Sequence, residues 1–306
     1  MARNCVATVG MFDGVHKGHR HILKLLRTEA ERRGLEPCVV TFDTHPRIVL
    51  GKTGDNFRLL TTTEERISLL KHYGFEHVEV LHFDQQTAAL SACEFLRQQL
   101  VSKFHAQALV LGYDNAFGNK QHDDFDKLGT VAQELGIALI RDEALMEGNI
   151  PISSTQIRKA LEDGDMERAN RMLGYTFNVE GIVVKGKQVG RKMGFPTANI
   201  ALSDKWKALP SNGVYAVEAT SPLGGTWKGM ANLGPQPTFE GDCNVLEVHL
   251  FDMQEDLYGK TLNVQFISKI RDIKCFDSME ALTSQLEQDE RKCKDLLRTN
   301  ELRIEN

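Results

Sequence analysis

No stretch of the chain approaches the roughly 20 consecutive apolar residues a membrane-spanning helix needs, which argues against a helical membrane protein. Nor does it open on a charged, apolar and small-residue segment of the secretory kind, so export is not expected. An excess of positive charge is also missing. The formal net charge is −5, which argues against a general nucleic-acid binder while leaving room for a local basic pocket. Six cysteines are scattered at positions 5, 38, 93, 243, 275 and 293 with no C-x-x-C pair, a pattern of reduced cytoplasmic thiols rather than of a disulfide frame or a zinc site. A P-loop is lacking too. Gly181 to Gln188 nearly fits the Walker A spacing, but Gln188 stands where a magnesium-binding Ser or Thr is required, and the first half of the segment reads as a strand. What remains is an ordinary globular chain of 306 residues, long enough for two domains with a core each.

The most informative stretch is Thr8-Val-Gly10-Met-Phe12-Asp13-Gly14-Val-His16-Lys-Gly18-His19. Cys5 to Val9 reads as a short buried strand, Gly10 and Gly14 mark a turn, and Ile22, Leu25, Leu26 and Ala30 keep helical spacing up to a Gly34 stop. His16 and His19 therefore share one face at the helix start, where free N–H groups and the positive dipole end favour an anion. Gly18 is expected to let a ligand approach the backbone closely. A zinc metalloprotease would space its histidines differently and put Glu between them. Strand, Gly-x-Phe-Asp-Gly turn and H-x-G-H in this order resemble the nucleotidyltransferase superfamily, whose members join a nucleoside monophosphate to an acceptor and release pyrophosphate.

Strands and helices then alternate as in a doubly wound parallel sheet. Pro37 to Phe42 reads as a strand running into the polar loop Asp43-Thr44-His45-Pro46-Arg47, Thr62 and Glu65 have capping-box spacing with a stop at Gly74, and strands at Val78 to Phe83 and Ala108 to Leu111 flank a helix over Ala92 to Phe104. Open sheets of this kind bind ligands in the loops after the strands. Leu111 to Gly118, bracketed by glycines, is expected to overhang the same edge as H-x-G-H. Ser153 then reads as an N-cap with Gln156 at the third helical position. Ser154, Thr155 and Arg158 add up to a second anion site at a helix start, suited to polyphosphate.

Near residue 175 the helical period gives way to short alternating runs punctuated by Gly, Pro and Asn, so a domain boundary is expected there, with one domain over 1–175 and another over 176–306. The second reads as a small antiparallel barrel with strands at Phe177 to Val184, Gly213 to Ala219, Thr226 to Leu233, Leu246 to Phe251 and Leu262 to Ile267. A closing helix capped by Asp277 follows. Gly190-Arg191-Lys192-Met193-Gly194-Phe195-Pro196-Thr197-Ala198-Asn199 reads as a rigid loop presenting Thr197 and Asn199, hard neutral donors suited to magnesium, beside basic Arg191 and Lys192. In Leu246 to Asp252 the even positions share a face, so Glu247 and His249 project together from the other, expected to be open, where Glu247 has the position of a general base or of a plain surface carboxylate.

G-x-F-D-G-V-H-x-G-H, R-L-L-T-T-x-E-E, I-S-S-T-x-I-R, G-R-x-x-G-F-P-T-A-N, P-T-F and L-E-V-H-L-F-D, in this order and over nearly the whole chain, resemble the prokaryotic bifunctional riboflavin kinase/FAD synthetase family. The resemblance implies a Rossmann-like FMN adenylyltransferase domain followed by a β-barrel riboflavin kinase domain. It implies ATP and Mg2+ as cofactors, riboflavin, FMN and FAD as substrates and products, and a cytoplasmic enzyme without nucleic-acid or membrane partners, at most a weak homo-oligomer. In the first domain it implies His16 and His19 as catalytic groups, Gly10, Phe12, Asp13, Gly14, Gly18, Ser154, Thr155 and Arg158 around ATP, and Asp114 and His45 near flavin. In the second it implies Glu247 as the base, Lys185, Gly190, Arg191, Gly194 and Pro196 around ATP, Thr197 and Asn199 on the metal, and Arg271 near flavin.

Three departures from the family pattern fall on the flavin side of the first domain. Thr44 replaces a usual proline, Asn115-Ala116 an aromatic-basic pair, and Asn119 to Asp124 a basic, glycine-containing run. They keep two alternatives in view, a riboflavin kinase with an impaired adenylyltransferase half and a non-enzymatic flavin binder. A nucleotidyltransferase acting on pantetheine phosphate or a sugar alcohol phosphate would fit the first half but leave the Pro-Thr-Ala-Asn barrel unexplained.

Overall fold

A computed structural model describes residues 4–54, 57–113, 125–186, 189–222, 224–238, 241–253 and 255–304. They form two compact units, Met1–Ser154 and Thr155–Asn306.

The first unit holds a five-stranded sheet in the order β3-β2-β1-β4-β5, every pairing parallel. Its strands are β1 (Cys5–Val9), β2 (Glu36–Phe42), β3 (Val78–Leu81), β4 (Ala106–Leu111) and β5 (Ala138–Arg141), and a small hairpin of β6 (Met146–Glu147) and β7 (Ile150–Pro151) follows. Helices α1 (Lys17–Arg33), α2 (Pro46–Val49), α3 (Thr63–His72), α4 (Gln85–Ala89), α5 (Ala92–Phe95) and α6 (Phe125–Glu134) connect them. Because a parallel sheet is covered on both faces, β1 is buried at every position: Cys5, Ala7 and Val9 enter one core with Phe95, Leu96 and Leu100, and Val6 enters the other with Leu23, Leu26 and Leu70.

The capping box of α3 forms as the spacing predicts, with Glu65 N–H donating to Thr62 Oγ1 and Thr62 N–H to the Glu65 carboxylate. Gly34 closes α1 in the left-handed region at φ 65°. The expected helix over Ala92 to Phe104 is different in kind. It opens as α5 and widens into a π-helical segment, Leu96–Val101, whose continuation carries five-residue hydrogen bonds such as Phe104 N–H to Gln99 O at 3.2 Å.

In the second unit, α7 (Ser154–Asp163, its first residue belonging to the first unit) and α8 (Met166–Leu173) precede the barrel strands β8 (Asn178–Val184), β9 (Ala198–Leu202), β10 (Gly213–Thr220), β11 (Thr226–Thr238), β12 (Gly241–Leu250) and β13 (Thr261–Arg271), with a one-turn helix α9 (Val189–Lys192) and the closing helix α10 (Met279–Ile304). The strands close a barrel in the order β10-β11-β12-β9-β8-β13. Leu262, Val264 and Phe266 alternate with half-buried neighbours along β13, as a half-buried strand should. Both α7 and α8 are tied to this barrel: Ser211 N–H donates to Leu161 O at 2.8 Å and Asn170 Nδ2 to Phe266 O at 2.9 Å. α10 packs on β10, β11 and β13 over Val214, Ala216, Met230, Ile270, Cys293 and Leu297. Its cap is Ser278, not Asp277, since the helix starts at Met279 and Ala281 N–H donates to Ser278 Oγ at 3.1 Å. β9 replaces the end of the expected loop, so Asn199 sits inside a strand.

Candidate active sites

The H-x-G-H turn is strained and tightly held. Phe12 and Val15 both take positive φ, 50° and 36°, unusual for a bulky and a β-branched residue. The buried Asp13 carboxylate accepts from the Leu60 and Thr61 N–H groups at 3.2 and 3.0 Å, and Gly14 N–H donates to Thr61 Oγ1, so the R-L-L-T-T segment clamps the turn from below. Asp13 thus serves first as the anchor of this loop. Ser154 Oγ donates to Asp13 O at 2.8 Å, which brings the start of the I-S-S-T motif to the same turn.

His16 is the N-cap of α1, buried, and its Nδ1 accepts from His19 N–H at 3.3 Å. The two imidazoles stack at 3.6 Å, with Phe12 edge-on to His19 at 5.3 Å. His19 Nδ1 is buried without a hydrogen-bond partner. Burial, His16 and Arg66 together hold its pKa well below the usual histidine range, so it is neutral at pH 7. Gly18 has a packing reason of its own. A Cβ there would lie 2.8 Å from Ile152 O and 3.1 Å from the His16 ring. Gly10 lies under the Phe12 ring, where a Cβ would come within 3.3 Å of it. His45 caps α2, accepting from Arg47 N–H at 3.1 Å, and packs edge-on to Phe57. Thr155 lies in the first turn of α7 and Arg158 one turn further in, both beyond the division between the units. Asp114 and the Asn115 to Asp124 loop lie outside the described residues.

In the second unit, Arg191, Pro196 and Thr197 line a cavity of about 310 Å³, together with Val248, Glu255 and Tyr258 among others. That volume is in the range of small-molecule sites. Lys185 is exposed, its Nζ 5.9 Å from the Tyr258 ring. The loop before β9 is closed on itself: Phe195 N–H donates to Gly190 O at 2.9 Å, a Cβ on Gly190 would overlap the Phe195 carbonyl, and Gly194 takes φ +83°. Asn199, buried in β9, pairs directly with Glu247 of β12, so the two side chains stand on the same face, Cβ atoms roughly 5 Å apart. Gly186 packs against the Asn199 amide so closely that a Cβ would overlap it.

The face carrying Glu247 is less open than the alternation predicts. Leu246, Val248 and Leu250 are buried as expected, but so is His249, which is 9% exposed, and Glu247 is half-buried. His249 Nδ1 donates to Pro196 O at 2.8 Å between the rings of Phe195 and Phe251. Arg271 is committed to α10: its guanidinium meets the Asp289 carboxylate through Nε and Nη2 at 2.8 to 3.1 Å. Among the described residues, no group of three or more His, Cys, Asp or Glu is set to hold a metal ion.

The FAD synthetase family model matches residues 1–156 and the riboflavin kinase family model residues 173–297. The bifunctional riboflavin kinase/FMN adenylyltransferase of Escherichia coli K12 is 38% identical over 94% of this chain and 90% of its own length, and that of Bacillus subtilis is 35% identical over 93% and 90%. The chain belongs to the bifunctional riboflavin kinase/FMN adenylyltransferase family. A crystal structure from Streptococcus pneumoniae, described as a macrolide-efflux protein, superposes with TM-score 0.87 at 33% identity over 96% of this chain and 95% of its own. Among the described residues no helix is long and apolar enough to cross a membrane.

Two residues near the sites have structural roles that the motifs did not indicate. Arg66 is fully buried, gives Nη2 to Phe42 O and to Thr63 Oγ1, and leaves Nε and Nη1 without partners. Its sequence signal was a charge on the same helical stripe as buried Leu70. The other is His249, whose signal was an imidazole two residues from the candidate base.

Proposed function

We propose that the two family reactions run on separate residue sets, phosphorylation of riboflavin on the barrel and adenylylation of FMN at the H-x-G-H turn. One observation carries the kinase assignment: Glu247 of β12 is the direct cross-strand partner of Asn199 of β9, so the two side chains share one face. A half-buried carboxylate there accepts the proton of riboflavin's 5′-hydroxyl as that oxygen attacks the γ-phosphorus of ATP and ADP leaves. Thr197 and Asn199 offer the neutral hard oxygens that magnesium prefers, and the Gly186 cradle fixes the amide in place, so the residues fit the ion. When bound, Mg2+ neutralises phosphate charge. Arg191, Pro196, Gly190, Gly194 and Lys185 are assigned to the nucleotide side of the same site, and Arg271 to the flavin side, where it acts from its Asp289-fixed position.

FMN brings an anionic phosphate oxygen as nucleophile, so the first site needs no base. It needs donors where charge develops at the α-phosphate and on departing pyrophosphate. The α1 N-terminus, His16, a neutral His19, Ser154, Thr155 and Arg158 are assigned that role, with Gly10, Phe12, Asp13, Gly14 and Gly18 shaping the ATP turn. Asp114 and His45 are assigned to flavin. His19 therefore contributes an N–H donor rather than a full positive charge. We also place the enzyme in the cytoplasm, acting on small molecules without nucleic acid, on the strength of its net charge and of the free cysteines among the described residues.

Two variants test the division. Glu247→Gln is expected to abolish riboflavin phosphorylation while leaving adenylylation of supplied FMN intact, and His16→Ala to do the reverse. Either variant losing both activities, with the fold intact by circular dichroism, removes the two-site assignment.

A further inference from the structure

We infer that His249 is a positioning residue of the kinase site: it holds the Pro196 carbonyl and, through that peptide, fixes Thr197 for metal–nucleotide binding. This deepens the reading that Thr197 and Asn199 carry magnesium, and rests on it.

The geometry is specific. A carbonyl oxygen only accepts, so the 2.8 Å contact from His249 Nδ1 to Pro196 O requires the proton on Nδ1. Proline has φ fixed by its ring, and its peptide to Thr197 is planar, so ψ of Pro196 is the soft dihedral that decides where Thr197 points. Anchoring the Pro196 oxygen fixes that dihedral. The anchor itself does not swing, because the imidazole is 9% exposed and lies edge-on to Phe195 at 5.3 Å and to Phe251 at 5.8 Å. Upstream, the segment is already closed by the Phe195 N–H to Gly190 O bond. His249 and Glu247 are two apart on β12, so one strand face presents the candidate base and grips the loop that carries a candidate metal ligand. An apolar residue of similar size would fill the same space without holding the carbonyl.

That difference sets the test. In the full chain, His249→Asn places an amide N–H at the Nδ1 position, His249→Gln places it nearer the Nε2 position, and His249→Leu fills the volume with no donor. Residues that orient metal ligands are typically worth about 10–100-fold in metal affinity. The Mg2+ concentration for half-maximal riboflavin phosphorylation is expected to rise by that factor in the Leu and Gln variants and to recover to within a few-fold in Asn, with adenylylation of supplied FMN as internal reference. Independently of activity, 15N-histidine NMR of the wild-type protein is expected to show the His249 proton on Nδ1. An Nδ1 without a proton, an unchanged Mg2+ requirement in the Leu variant, or equal impairment by Asn, Gln and Leu overturns the assignment. If Leu fails to fold, the Asn–Gln contrast and the NMR spectrum still decide. Thr197→Ala, run beside them, separates the two levels. No shift in its Mg2+ requirement removes the metal reading and this inference with it, whereas a shift there without one at His249 removes the inference alone.

Discussion

A methyl group at position 186 has nowhere to go, because a Cβ there would overlap the side-chain amide of Asn199. Gly186→Ala must therefore displace the candidate metal ligand, and riboflavin phosphorylation is expected to fall by about 10–100-fold while FMN adenylylation is unchanged; steady-state assays of the two half-reactions check it. His19 gives a prediction of opposite character. Its folded pKa lies below that of an unfolded histidine, about 6.5, chiefly through burial and then through His16 and Arg66. The stability linked to keeping it neutral is complete above that value and is lost as pH falls below it towards the folded pKa, by up to about 1.4 kcal/mol per pH unit. Urea unfolding of the full chain between about pH 7 and pH 5 is expected to flatten in its pH dependence on His19→Gln. The position of His19 on the helix start was legible from H-x-G-H alone. Its neutrality was not, because it depends on the burial of the stacked pair beside Arg66, a residue brought close by the fold of a later helix.

At the scale of elements, the joint between β13 and α10 contains a buried ion pair beside its apolar packing. Asp289 is 3% exposed and Arg271 is 14% exposed, and Gln285 Nε2 donates to the same carboxylate at 2.9 Å. Asp289→Ala strands a mostly buried guanidinium, and a loss of about 3–5 kcal/mol is expected in chemical denaturation of the barrel unit. Elements whose signals are local read well in sequence. The α3 capping box and the Gly34 stop need only a few neighbouring residues, and both appear as the spacing predicts. β9 and α8 did not read so well. β9 is five residues long and follows a Gly-Phe-Pro turn that hides its start, and α8 lies between Gly164 and Gly174, where stop signals at both ends mask an eight-residue helix. The Ser278 cap was missed by one residue because adjacent Asp277 and Ser278 are equally good caps in sequence.

Across the whole chain, a parallel sheet and a closed barrel divide the work, and the change in periodicity near residue 175 already separates helical from barrel sequence. The compact units divide earlier, at Ser154/Thr155, because α7 and α8 are hydrogen-bonded to the barrel, a relation that no local pattern encodes. Family matches over 1–156 and 173–297 put both activities on one polypeptide in this order. The altered residues from Asn115 to Asp124 lie outside the described residues, so the flavin side of the first site is where chemistry decides most. Purified protein mixed with riboflavin, ATP and Mg2+ and followed by chromatography is predicted to form FMN first and then FAD as FMN is consumed. FMN that accumulates without FAD, or no conversion of riboflavin at all, would contradict the account of two working sites.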